Sequence, residues 1–194
     1  MHPRQVIRQA FSDRLADVVP DTDPPAHRTA CLGRVWPSRT KPLFPKDMPA
    51  LLVYSRAEKV RDGGDADGHG PLTRQLNLTV EILAEGGDDG LNATLDAITV
   101  QVEDALDGFD IPSTPLAGWE WMVTQIRLDE VDTDFSSEAE KVIGATRLTY
   151  VVTYQTARVV TESGDPPTRV FVGYAPEIGA AHEPEYEEVI RRPI

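Results

Sequence analysis

RLTYVVTYQT, residues 147–156, puts Leu148, Tyr150, Val152 and Tyr154 on one side and Thr149, Val151 and Thr153 on the other. A period of two, carried by β-branched and aromatic residues, marks a strand with one buried face. LTRQLNLTVEIL, residues 72–83, repeats the pattern with Leu72, Leu76, Leu78, Val80 and Ile82 against Thr73, Gln75, Asn77, Thr79 and Glu81. Two such strands need a cover for their apolar faces, and the rest of the chain supplies it.

Working outward, Ile7, Ala10, Phe11, Leu15 and Val18 recur three and four residues apart behind Pro3, which predicts an N-terminal helix ended by Pro20. Asp88 or Asp89 can cap a second helix. Its buried stripe is Leu91, Leu95, Ile98, Val102, Ala105 and Leu106, with Gly108 as its C-terminal cap. Residues 20–28 read as a connecting loop, and short strands are expected at 30–36 and 50–55. A further strand is expected at 119–131, where Trp119 and Trp121 share a face suited to burial against a helix or another subunit. DGGDADGHGP, residues 62–71, reads as a solvated loop, because it lacks the full ligand alternation and closing glutamate of a calcium loop. The order is αβββαββ, which predicts an α+β fold: a mixed, mostly antiparallel β-sheet with two α-helices packed on one face, plus an extended C-terminal arm. Residues 1–156 form the expected domain. Residues 157–194 form the arm, with one strand at Arg169, Val170, Phe171, Val172 and Gly173 as a candidate for adding to another sheet edge.

With 40% hydrophobic and 26% charged residues the composition is that of an ordinary globular protein, and no apolar run approaches the ~20 residues of a membrane helix. The first twenty residues lack the continuous apolar core of a secretory signal, so none is expected. The single Cys31 excludes an internal disulfide and suits a reducing cytosol. Net charge is −13 and is segregated: residues 85–140 hold fifteen acids against Arg127, whereas residues 28–61 hold eight bases against Asp47 and Glu58. So acidic a chain is not expected to grip nucleic acid, which takes clustered Lys and Arg.

Signs of catalysis are missing. His2, His27, His69 and His182 are scattered, so no metal site is expected. No nucleophile elbow, phosphate-binding glycine loop or dinucleotide fingerprint occurs, so neither cofactor nor enzyme activity is expected. Cys31 in an apolar segment reads as core. The carboxylates Asp88 with Asp89, and Asp129 with Glu130 and Asp132, could do acid–base work, but such runs are usually just solvated. Blocks of opposite charge suit head-to-tail association of copies into a ring, and they equally suit plain solvated surface.

The N-terminal helix, PALLVYSRAEKV (49–60), RQLNLTVEILAEG (74–86), LNATLDAITVQVEDAL (91–106) and LTYVVTYQT (148–156) together resemble the tail terminator family of long-tailed bacteriophages, which includes the minor tail protein U of phage lambda. The similarity covers roughly residues 3–156. It implies a virion protein, assembled in the host cytoplasm, that forms a ring of about six copies on the last ring of the tail tube, stops its polymerisation and meets the head–tail connector or neck protein, with no catalysis. DNA would pass through the lumen without specific binding, and no membrane is involved. Departures from the family are the longer excursion at 108–118 and the C-terminal arm, which could reach a neighbouring subunit, the tube or a connector.

Interface positions come from charge. Arg34, Arg39, Lys41, Lys46, Arg56, Lys59 and Arg61 are the candidate subunit or partner surface; Asp96, Glu103, Asp104 and Asp107 on the second helix are its candidate complement or the lumen lining. The alternatives are a head-completion or other neck protein of the same virion and, from another class, a small soluble enzyme or ligand-binding domain. The last would need a pocket of convergent polar groups.

Overall fold

Apolar alternation in residues 72–83 and 147–156 places these segments side by side at the middle of one sheet. The computed structural model describes residues 2–19, 22, 24–62, 71–87, 90–111, 121–136, 142–157, 169–172 and 187–191. Two compact units result, Met1–Arg158 and Val159–Ile194.

In the first unit the order is α1 (Pro3–Ala16), β1 (Val18–Val19), β2 (Ala26–His27), β3 (Val35–Pro37), β4 (Ala50–Asp62), β5 (Leu72–Gly86), α2 (Leu91–Leu106), β6 (Trp121–Ser136) and β7 (Val142–Thr156). Five strands form one sheet in the order β3-β4-β5-β7-β6, antiparallel except for the short β3–β4 pair. This is the expected α+β class, with both helices on one face.

Register assigns every side chain to a face. Val53, Val80, Leu148 and Val131 lie in one row and Leu51, Ile82, Thr146 and Thr133 in the next, all on the helix side. Tyr54, Thr79 and Thr149 lie on the other, open face, whose residues on β5 and β7 are mostly polar and half-buried. Between Ser55 and Ala57 the β4 register shifts by one, so beyond this bulge the faces exchange. Glu58 and Val60 turn to the helix side, and Lys59 and Arg61 turn to the open face.

α1 starts at His2, whose Nδ1 accepts a hydrogen bond from the Arg4 amide at 3.2 Å, and buries Ile7, Phe11 and Leu15. Phe11 meets Tyr150 and Phe109 edge to face at 5.7 and 5.9 Å, locking α1 onto the sheet centre. Helix α2 buries the expected stripe, each leucine, isoleucine and valine of it contributing about 1.5–3 kcal/mol on leaving water. Its N-cap is Gly90, without a side-chain cap; Asp88 and Asp89, the expected caps, lie outside the described residues. Gly108, at φ +61°, does follow the last turn in the left-handed conformation. Under α2, Gly144 of β7 admits the helix closely: a Cβ there would lie 2.6 Å from Leu95 Cδ1 and 3.2 Å from Leu91 Cγ.

Several boundaries differ from the sequence expectation. α1 stops at Ala16, because Val18–Val19 pair with Ala26–His27, and the Thr22 hydroxyl donates to Val19 O and accepts from the Ala26 amide. The strand expected at 30–36 shrinks to Val35–Pro37, since 30–33 is turn. β4 and β6 run longer than expected, to Asp62 and Ser136, because pairing with β5 and β7 continues through charged residues. Trp121 is buried edge-on against Tyr154 at 6.4 Å, whereas Trp119 and the loop at 63–70 lie outside the described residues.

In the second unit, β8 (Arg169–Val172) pairs antiparallel with β9 (Glu187–Arg191), with Arg169 opposite Arg191 and Val170 opposite Ile190. A single strand was expected there. The acids that open β9 hide its short alternation, and Gly173 lies outside the described residues.

Candidate association surfaces

Bases from residues 28–61 collect along the β3–β4 side of the sheet. Tyr54 organises them: its hydroxyl donates to Arg39 O at 3.0 Å, and the Arg56 guanidinium stacks 4.6 Å from its ring centre. Arg39 in turn lies 4.6 Å from the ring centre of Trp36 and donates from Nε to Lys41 O at 3.2 Å. Such exposed cation–π contacts contribute about 0.5–1 kcal/mol each, enough to fix two arginines that would otherwise sweep freely. Burial, then Glu81, pushes the Tyr54 hydroxyl above the usual phenol range, so it stays a donor. Lys46 sits 5.8 Å from the exposed Phe44 ring, and Lys59 and Arg61 extend the basic strip along β4. Arg34 has a structural task instead. Its Nε donates to Pro49 O and its own carbonyl accepts from the Leu51 amide, both at 2.9 Å, fastening the start of β3 to β4.

Acids collect on the opposite side. Glu103, Asp104 and Asp107, from the last turns of α2, line a cleft of about 300 Å³ with Ile126 and Leu128 of β6 and Tyr150 of β7. Burial, reinforced by Glu103, raises the Tyr150 hydroxyl above its ordinary range and keeps it neutral. Asp96 is exposed two turns earlier and does not line this cleft. The outer half of β6 adds Asp129, Glu130, Asp132 and Asp134, all exposed. Arg147 of β7 answers part of this charge, donating to Glu81 at 2.8 Å and Asp134 at 3.1 Å, with Asp132 at 3.6 Å. Arg127 pairs with Asp129 at 2.6 Å. In sequence Asp129, Glu130 and Asp132 look like a solvated run; strand order, which no local pattern encodes, makes them one edge of the sheet.

The structure therefore brings together Arg39, Lys41 and Arg56 at Tyr54, and Glu103, Asp104 and Asp107 at the cleft. It holds the two groups apart by the width of the sheet, roughly 15–20 Å at ~4.8 Å per strand. A further polar cluster escapes sequence reasoning altogether. Glu58, turned inward by the bulge, accepts from the Tyr154 hydroxyl and from Arg74 Nη1 at 3.1 Å, while Arg74 Nε donates to Thr156 Oγ1. Only the mismatch of an acid within a strand hints at it.

Among the described residues no group of His, Cys, Asp or Glu is arranged to hold a metal ion, and no helix is long and apolar enough to cross a membrane. No family model matches the chain, and no curated protein matches it either. Its fold is similar to that of a solved chain from the virion of a native gene transfer agent particle. The TM-score is 0.53 at 16% identity, covering 78% of this chain and 96% of the other.

Proposed function

We propose that this chain is a structural protein of a phage-like virion that forms a ring at the head-proximal end of the tail tube. There it ends tube polymerisation and joins tail to neck. The supporting observation is the opposition of charge across one sheet, basic along β3–β4 and acidic along β6 with the C-terminal end of α2. Complementary but different patches make a heterologous contact, and a heterologous contact repeated by rotation closes a ring. The fold likeness to a virion chain supports the setting, and the resemblance to tail terminators supports the position.

In this role the subunit works by shape and charge, without catalysis or cofactor. Its partners are further copies of itself, about six per ring, the tube protein and a connector or neck protein. A net charge of −13 discourages adhesion of DNA crossing the lumen, since phosphates bind clustered cations. The exposed Asp96 is available to such a lining, and the arm at 157–194 is available to the tube or connector.

Light scattering on a sizing column over a range of concentrations, with negative-stain imaging of the same fractions, tests the proposal. Rings that cap purified tail tubes and halt their elongation are expected. A chain that stays monomeric at every concentration and ignores tube ends would refute it. Because the structural neighbour is described as a whole virion, a head-completion or neck role shares its support; binding to tail-free heads instead of tubes would establish that role.

A further inference from the structure

We infer that neighbouring copies join by continuing the sheet itself, the free length of β4 in one subunit pairing antiparallel with the outer half of β6 in the next. This rests on the ring reading and specifies its seam.

Both edges are available among the described residues. β3 covers β4 only at Leu51–Val53, so residues 56–61 have β5 alone as a strand partner, and β6 pairs with β7 alone. Past its second irregularity, between Leu128 and Glu130, β6 holds regular register from Glu130 to Ser136. Unpaired backbone on a regular edge is a template for another strand.

Strand direction fits rotation. In the series β4-β5-β7-β6 every neighbour is antiparallel, so β4 and β6 run in opposite directions. Turning one copy about an axis along the strands brings β6 beside the next β4 with the alternation unbroken.

Side chains fit on both faces. On the open face β4 offers Lys59 and Arg61, and β6 offers Glu130, Asp132 and Asp134. On the helix face β4 offers Val60, 49% exposed, and β6 offers Val131 and Phe135, 46% and 49% exposed. Charge on an edge strand often serves only to repel other strands. That purpose is poorly met by an edge leaving Val131 and Phe135 half bare beside the acids, whereas a basic strand with a valine on its reverse meets both faces at once. Two β6 edges brought together would instead set acid against acid.

Cysteine pairing tests the seam directly. Within one subunit β4 and β6 lie three strand spacings apart, roughly 14 Å, beyond the ~7 Å between Cα atoms that a disulfide spans. The native Cys31 is buried and gives no background. Val60→Cys combined in turn with Val131→Cys, Thr133→Cys or Phe135→Cys should give, on mild oxidation of the full-length chain, a ladder of linked subunits for at least one register. Neither Val60→Cys nor its β6 partner alone should do so. Charge reversal is the second measurement. Lys59→Glu/Arg61→Glu and Glu130→Lys/Asp132→Lys should each need at least roughly tenfold more protein to assemble, and an equimolar mixture of the two should recover, because each then presents the complement of the other. Rings that form normally without cross-links at any of the three registers would overturn the seam and leave the ring standing. Dimers linked through Val131→Cys alone would overturn it in favour of a two-fold contact. A chain that never assembles, alone or on tubes, would overturn both.

Discussion

Replacing Gly144 by alanine should destabilise the protein through a single methyl group. The new Cβ would stand 2.6 Å from Leu95 Cδ1 and 3.2 Å from Leu91 Cγ and Cδ2, well inside contact distance. Leu95 is buried, so its methyl cannot swing into open space, and α2 must lift or the leucines must leave their rotamers. Overpacking of this kind costs about 1–3 kcal/mol, and the lower entropy cost of ordering alanine in a strand returns about 0.5–1 kcal/mol. The expected net loss is about 1–2 kcal/mol, a fall in Tm of roughly 2–8 °C for a domain of this size. Thermal unfolding followed by circular dichroism, at one fixed protein concentration so that association does not enter, measures it. A double-mutant cycle identifies the cause. Leu95→Ala alone should cost about 2–5 kcal/mol by leaving a cavity, but with Cδ1 gone the Gly144→Ala penalty should shrink to the share left by the 3.2 Å approaches to Leu91. An undiminished penalty in the Leu95→Ala background would refute the packing account.

At the Glu58 cluster, Glu58→Ala removes a carboxylate that serves both Tyr154 and Arg74 and should cost about 2–4 kcal/mol in urea unfolding, against about 1 kcal/mol for Tyr154→Phe; equal losses would deny Glu58 its central place. Cys31, pushed up by burial from 9.0 to about 12, is held as the thiol, so the stability this contributes is complete below pH 9 and drains away as pH climbs from 9 through 12. Over that interval Cys31→Ala, though less stable at neutral pH, should lose Tm less steeply than the parent, and matching slopes would assign the alkaline loss elsewhere. Ending the chain before residue 159 should leave Tm within a few degrees and weaken docking to tubes or connectors, whereas unfolding would show that residues 159–194 complete the core.

What the sequence displays best is whatever repeats at short range. The alternation of β5 and β7 and the stripe of α2 stand in the structure almost residue for residue, because one buried face leaves a strand or helix little choice of phase. Segments whose partners are distant are harder to read. The ends of β4 and β6 are charged and look like loop, and they are strands only because β5 and β7 lie beside them. Strand order is likewise a long-range fact: it separates the β4 bases from the β6 acids and gives them opposite edges. The bases and acids themselves are visible in the sequence, but Tyr54 as the organiser of Arg39 and Arg56, and Glu58 as an inward acid, follow from one register shift that no propensity announces.

That shift also governs how the gene can vary in length. Losing one codon at residue 56 would remove the bulge and join Ser55, opposite Leu78, directly to Ala57, opposite Asn77, so every side chain from Ala57 to Arg61 would keep its present side. A deletion of the same size in the connection before β4 would merely shorten it. Tolerance of single-codon deletions should therefore be high across residues 38–48, fall at Leu51–Val53, where β3 and β5 both fix the register, and recover at Arg56, and a library of such deletions scored for folding would show that recovery.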